Sequence, residues 1–363
     1  MQVQTLPRMK LDPLILRMVR DTATRERSSV RRERNASEFV SVWSEEESLD
    51  GSPTKALVII LATRGCAWAV RSGCSMCGYT NESAATATDA DIWAQYSSAM
   101  ERLKGEKVVK IYTSGSFLDT FELSRGLQRR ILEDLVARVE RVVVETRHEL
   151  INEENLERLT PFRSKLMLAI GVESSNDRVL NYSVNKPSRF SNFLNAASLA
   201  RSHGFYLKAY VMLKTPFMSE KDAIADCART VQDVGPHVET VSINPSNVQR
   251  STVMELLWNR GNYRPPWLWS LVEVLKGASG LGCRVMSKPT GAGTLRGAHN
   301  CGTCDEAILE AVGKFSQSGD YSLLDHLDCG CRDVWKKELS FGSFPVPYME
   351  KDYRRRGSVN AEI

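Results

Sequence analysis

The stretch "RGCAWAVRSGCSMCGYTNE" at 64–82 gathers Cys66, Cys74 and Cys77 among glycines and small polar side chains. Disulfides use cysteines in pairs, and a structural zinc takes four protein ligands. An odd triplet therefore suits a metal centre with one position left open. A second group lies downstream: Cys301-Gly-Thr-Cys304 and Cys329-Gly-Cys331, separated by a predicted helix over 305–318. Two such knuckles can set four sulfurs around one ion, the ligand set of a structural Zn2+. A second iron–sulfur cluster and unmetallated thiols are the alternatives, and His299 could replace one thiolate. Cys227, on the apolar side of a predicted helix, and Cys283, in the strand-like "GCRVM", read as small core residues.

The elements that must position these thiols repeat one pattern. Apolar, β-branched runs recur at 55–63, 107–115, 141–147, 165–174, 205–213 and 238–246, each nearly continuous, as in strands covered on both faces. Helical patterns fill the gaps at 88–104, 124–139, 189–203 and 219–234, with Ser124, Ser191 and Ser219 at or near N-caps. Six βα units predict an α/β fold with a parallel sheet, doubly wound or curled into a partial barrel. Every run ends in chemically capable residues. The cysteine loop follows the first, Ser114-Gly115-Ser116 the second, Glu145-Thr146-Arg147 the third, Glu173-Ser174-Ser175 the fourth, Lys214-Thr215-Pro216 the fifth, and Asn244-Pro245-Ser246 the sixth. Strand C-termini are where parallel α/β folds build their sites.

Composition limits the class. With 363 residues, 42% hydrophobic and 25% charged, the chain suits one large domain plus an appendage. We expect a basic N-terminal extension at 1–50, a barrel at 51–260 and a C-terminal module with zinc-type knuckles and a basic tail at 261–363. No apolar run reaches the roughly 18–20 residues of a membrane span, and there is no secretory signal pattern. The expectation is a cytoplasmic protein with no membrane partner, whose nine cysteines serve metals or catalysis rather than disulfides. The net charge of +4 is small but uneven: the first 36 residues hold nine Arg/Lys against four acids, and the tail adds Lys351, Arg354, Arg355 and Arg356. These ends are either solvated, partly helical extensions or contacts for nucleic-acid phosphates. Trp258, Trp267 and Trp269 could stack on bases or pack in the core.

Taken together, the cysteine loop and the strand-end motifs resemble the radical SAM superfamily. In that family three cysteines after the first strand of a partial (βα)6 barrel hold a [4Fe–4S] cluster, and S-adenosylmethionine (SAM) chelates the fourth iron. Electron transfer into the sulfonium then yields a 5′-deoxyadenosyl radical that abstracts hydrogen. Here the spacing is C-x7-C-x2-C, longer than the common C-x3-C-x2-C, with Met76 where an aromatic usually stands. The resemblance implies cofactor contacts by Met76, Gly78 and Tyr79, and by the edge Ser114, Gly115 and Ser116 in "TSGSF". It also places Glu145 and Arg147 of "ETRHE" and Glu173 of "GVESS" against the cofactor, as in the Elongator-type subgroup.

One subgroup resembles almost the whole chain, through "GCSMCGY", "NCGTCD" and "FSQSGDYSLLDHLDCGCRDVW": the radical SAM proteins of archaeosine synthesis. What it implies is a lyase acting on tRNA that carries a lysine-adducted 7-cyano-7-deazaguanine, cleaving the lysine-derived C–N bond to leave the archaeosine formamidine. It further implies a lysine-transferring synthase subunit as partner and an electron donor. Lys214 and Asn244 become candidates for the substrate lysine because they should face the same cavity. Two alternatives stand beside this. One is another Elongator-type tRNA-modifying radical enzyme; the other is a non-enzymatic Fe–S and zinc protein that binds nucleic acid.

Overall fold

The computed structural model describes residues 13–27 and 34–340. Arg8, Lys10, Arg31, Arg32 and the basic tail at 351–356 lie outside the described residues.

Eight strands form one sheet in sequence order: β1 (Ser41–Leu49), β2 (Ser52–Ile60), β3 (Val108–Tyr112), β4 (Arg141–Thr146), β5 (Leu166–Glu173), β6 (Tyr206–Leu213), β7 (Thr240–Pro245) and β8 (Arg284–Met286). All neighbours pair in parallel except β1 and β2, which form an antiparallel hairpin with Ser41 opposite Ile60. Its turn is Asp50-Gly51, with φ of 50° and 82°; a two-residue hairpin turn needs positive φ at both positions, which Asp tolerates and Gly adopts freely.

Strand alternation separates two environments. Val109 and Ile111 of β3, Val142 and Val144 of β4, and Leu207, Ala209 and Val211 of β6 point outward into the core under the helices. Between them, Lys110, Tyr112, Glu145, Lys208 and Tyr210 line the inner cavity. Beneath these polar residues Ala56, Val108, Val143 and Ala169 form a small apolar cluster of their own. The runs looked continuously hydrophobic because the outer face is fully apolar; the inner face carries the polar minority.

The curl is visible in the ion pairs between the two ends of the sheet. Glu47 of β1 accepts from Arg284 of β8 at 3.0 Å, and Lys288, just beyond β8, reaches Glu45 at 2.8 Å. The sheet is thus an open barrel whose edge strands are bridged by side chains. Helices start at signals present in the sequence: Ser124 accepts from the Leu127 N–H, Ser219 from the Asp222 N–H, and Thr88 with Asp91 makes a capping box. The helix Phe190–Ser202 begins after Arg189, so Ser191 lies inside its first turn. Among the described residues no helix is long and apolar enough to cross a membrane.

The boundaries set at 50 and 260 cut through this architecture. The first falls in the β1–β2 turn, and the second leaves β8 outside the sheet that it extends. Leu271 and Leu275 of the helix Leu268–Gly277, Ile308 and Phe315 of Asp305–Ser318, and Trp335 all join the core formed by β2–β7. Nor are the N-terminal basic residues uniformly solvated. The helix Pro13–Arg27 buries Met18, Val19 and Ala23, Arg34 pairs with Glu82 at 2.8 Å, and Arg27 is built into the site described next.

Candidate active site and cysteine module

The loop after β2 is braced from three directions. From the N-terminal helix, Arg27 Nη2 donates to the carbonyls of Cys74 (2.9 Å) and Cys77 (3.0 Å). From the segment just after the π-helix Val179–Ser183, Asn185 Nδ2 donates to the Gly73 carbonyl (2.7 Å), and its own carbonyl accepts from Trp68 Nε1 (2.9 Å). From the segment after β7, Gln249 accepts from the Gly78 N–H (2.5 Å), and the Met254 N–H donates to the Ser75 carbonyl (3.1 Å). Cys66, Cys74 and Cys77 are thereby held on one wall of a cavity of about 1130 Å³ that runs from the mouth to the barrel floor.

The three sulfurs do not all lie within 4.8 Å of one another. The turn after β3 also presses backbone against the loop: a Cβ at Gly115 would stand 2.7 Å from Cys66 Cβ and 2.6 Å from Glu122 Oε1. Buried Glu122 sets that turn by accepting from the Ser116 N–H (2.7 Å) and Thr63 Oγ1 (2.5 Å). Burial pushes the Cys77 thiol up to about 11, against the pull of Arg27, and raises Cys74 still further. Any metal bound there would have to displace those protons.

The remaining strand ends divide. Met76, Tyr79, Ser114, Gly115, Glu145, Arg147, Glu173 and Asn244 line the cavity. Gly78 and Ser116 do not. Gly78 packs against Gln249 and the Arg250 carbonyl, and Ser116 is fully buried with its hydroxyl 3.0 Å from Thr146 Oγ1. Lys214 requires correction as a substrate contact: at the end of β6, with φ of 66°, it turns away from the cavity into an ion pair with Glu220 at 2.5 Å. Glu173, with φ of 67°, sits at an irregularity in the β5–β6 pairing; its side chain stays in the cavity beside Lys186. Backbone in the left-handed region at a non-glycine residue is sustained by its surroundings and is common where strands deliver functional groups.

Arg147 is already engaged. Its guanidinium lies 3.3 Å from Cys66 Sγ, 2.8 Å from Asp119 and 2.7 Å from Glu149, so it offers a cofactor charge more than free donors. Burial raises the Glu145 carboxyl to about 8, with Lys208 opposing. Sequence reasoning passed over Lys186, whose amine donates to the Gly171 carbonyl (2.5 Å) on the same wall as Cys74. It also passed over Gln249 and Glu122, and read Arg27 only as one of the basic N-terminal residues. None belongs to a motif; each is found through the partner it braces.

The four downstream cysteines converge separately. Cys301–Cys304, Cys301–Cys329 and Cys304–Cys331 sulfur distances are 3.9, 3.7 and 3.7 Å. A tetrahedron with Zn–S bonds of about 2.3 Å has an edge of about 3.8 Å. Outer groups orient the sulfurs: Asn300 Nδ2 donates to Cys304 (3.3 Å) and Trp269 Nε1 to Cys331 (3.2 Å). Backbone N–H groups of Thr303 and Cys304 draw the Cys301 thiol down to about 6. His299 is not one of the four; its Nδ1 is 2.8 Å from the Gly297 carbonyl. Cys227 is buried in the core, as are Trp267 and Trp269, while Trp258 lies under Arg296.

The first parallel strand of this half-barrel thus opens into a three-cysteine loop facing a cavity rimmed by the other strand ends. No protein-family model matches the chain. It is 39% identical over 311 residues to archaeosine synthase subunit beta of Methanosarcina acetivorans, covering 83% of this chain and 90% of that protein. It is 38% identical over 314 residues to archaeosine synthase subunit beta of Thermococcus kodakarensis, covering 82% and 95%. The chain belongs to the archaeosine synthase subunit beta family. Solved structures similar to it include the archaeal Methanocaldococcus infernus Elp3, with 16% identity, a TM-score of 0.47 and coverage of 65% of this chain and 59% of that one.

Proposed function

We propose that this chain is the radical SAM subunit of an archaeosine synthase, cleaving the lysine-derived C–N bond of a lysine-adducted 7-cyano-7-deazaguanine nucleoside in tRNA. The observation that carries this is the shared cavity: the wall of Cys66, Cys74 and Cys77 and the polar barrel floor open into one volume, large enough for a cofactor and an inserted base. Bound at that wall, a reduced [4Fe–4S] cluster with SAM supplies a radical able to take hydrogen from an unactivated carbon. The chain's own residues hold and shield. Arg27, Asn185 and Gln249 fix the loop, Arg147 sets positive charge beside Cys66, and Met76, Tyr79, Glu145, Glu173 and the Ser114–Gly115 edge form the cofactor walls. Asn244 faces the substrate side. A lysine-transferring subunit provides the adduct, and an electron donor reduces the cluster.

Anaerobic reconstitution with SAM, a strong reductant and adduct-bearing tRNA should convert the adduct to archaeosine, read by nucleoside mass spectrometry. Cleavage of SAM with the adduct unchanged would contradict the reading.

The C-terminal sulfurs form a structural zinc site in this proposal. A closed four-thiolate site leaves no position for catalysis, and its binding free energy is largely folding free energy. Metal analysis should find about one zinc per chain, retained in Cys74→Ala and lost in Cys304→Ala. Hydrogen exchange in Cys304→Ala should rise from about residue 290 to 340. Iron in place of zinc at these four sulfurs would overturn the assignment.

A further inference from the structure

The barrel floor holds more positive than negative charge. Lys110, Lys208, Lys288 and Arg284 surround the carboxylates of Glu45 and Glu47. Lys110 is engaged by Glu45 (2.6 Å) and by Glu47, Lys288 by Glu45 (2.8 Å) and the Glu46 carbonyl (2.6 Å), and Arg284 by Glu47 (3.0 Å) and the Ser316 carbonyl (2.7 Å). Lys208 differs. It is 6% exposed and lines the cavity, yet its one hydrogen-bond acceptor is the Met286 thioether at 3.8 Å, and among the described residues it has no ion-pair partner. Its amine sits 5.2 Å from the Tyr210 ring centroid.

A buried amine without a counter-ion either loses its proton or acquires an anion. Burial, together with Lys110, Lys288 and Arg284, pushes Lys208 down to about 7, against the pull of Glu47. Glu145 is near enough for Lys208 to hold its carboxyl down, but burial still leaves that carboxyl at about 8. Among the described residues Glu145 makes neither an ion pair nor a hydrogen bond with the Lys208 amine, whose acceptor is the Met286 thioether. The missing charge must arrive from the mouth of the cavity, past the cysteines. A nucleic-acid phosphate is flanked by ribose on both sides and cannot be lowered alone into a half-barrel; a carboxylate at the end of a flexible aliphatic arm can.

We propose that Lys208 forms a carboxylate-receiving subsite at the barrel floor, ringed by Lys110 and Lys288, and that it takes the carboxylate of the substrate's lysyl group. This rests on the substrate reading given above. The arm is then held at its far end, with its carbon chain against Tyr210 and Met286 and its base end toward the cysteine wall.

The test compares two tRNAs with the reconstituted holoenzyme, one bearing the lysine adduct and one bearing the same adduct made with cadaverine, which lacks the carboxylate. The wild-type protein should favour the lysine form in kcat/KM by roughly tenfold or more, as for a lost hydrogen bond to a charged group. Lys208→Met should bring the ratio close to one, and Lys208→Arg should restore it. Because the ratio is taken within one preparation, partial misfolding cancels. Should Lys208→Met turn over neither tRNA, the same ratio is read from dissociation constants without reductant. A Lys208→Met protein that keeps the wild-type preference, or a wild-type protein that uses both tRNAs equally, would overturn the subsite while the proposed reaction stands. Failure of the wild-type protein to convert the lysine adduct would overturn the reaction, and the lysyl carboxylate with it.

Discussion

A Cys74→Ala protein should form no 5′-deoxyadenosine from SAM and hold no [4Fe–4S] cluster, while keeping the metal bound by its C-terminal sulfurs. Cys74 lies against Cys77 and near the buried Lys186 amine, and its carbonyl is fixed by Arg27. No other cysteine adjoins this wall: among the described residues the remaining thiols are Cys227 in the core, Cys283 half-buried against it, and the four of the distant module. Substitution therefore leaves two ligands where three are needed, and no neighbour can replace the third. Iron and sulfide analysis with a SAM-cleavage assay decides the matter. Wild-type levels of 5′-deoxyadenosine would falsify the cluster assignment. Since burial raises the Cys74 and Cys77 thiols, reconstitution should also proceed more fully as pH rises and their protons are more readily displaced.

Glu220→Ala should destabilise the fold by about 3–5 kcal/mol, the usual cost of removing one partner from a buried ion pair. Glu220 opens the helix Glu220–Val234 and is 2% exposed. One carboxylate oxygen takes Lys214 at 2.5 Å; the other accepts from the Trp267 N–H at 2.8 Å and from Ser270 Oγ. The same Ser270 hydroxyl accepts from Trp335 Nε1 at 2.9 Å. One side chain thus links the end of β6, the helix Leu268–Gly277 and the C-terminal helix. Deleting it strands the Lys214 ammonium, 5% exposed, with the Tyr263 ring 5.8 Å away in place of a counter-ion. A denaturant melt measures the loss, and a shift below about 1 kcal/mol would show that the pair is not the junction described. Lys214→Met with Glu220→Gln should recover much of it, because an uncompensated charge costs more than an absent pair.

The six apolar runs and the strand-end motifs were legible because parallel strands write both their length and their C-terminal chemistry into contiguous sequence. The hairpin strand β1 was not read, although Asp50-Gly51 is a hairpin signal. Its run "SVWSEEESL" looks too acidic for a strand until Lys110, Arg284 and Lys288 are placed opposite it. Lys214 shows the reverse failure. Sequence put it at a strand end with Asn244, but only the left-handed backbone at 214 decides which way the side chain leaves the strand. The roles of Arg27 and Gln249 depend on distant elements meeting at the cysteine loop, which local pattern cannot express. The convergence of the four downstream sulfurs was legible, since two closely spaced cysteine pairs flank a single helix.

The bridge across the two ends of the sheet also sets a timetable for synthesis. Glu47 and Arg284 are separated by 237 residues, and Glu45 and Lys288 by 243. At a ribosomal rate of about 5–20 residues per second, the acidic strand waits roughly 10–50 s before its last partners emerge. Lys110, 63 and 65 residues from the same two carboxylates, emerges much sooner and pairs with both. It can chaperone the acidic edge of the nascent chain until the final strand arrives to lock the barrel.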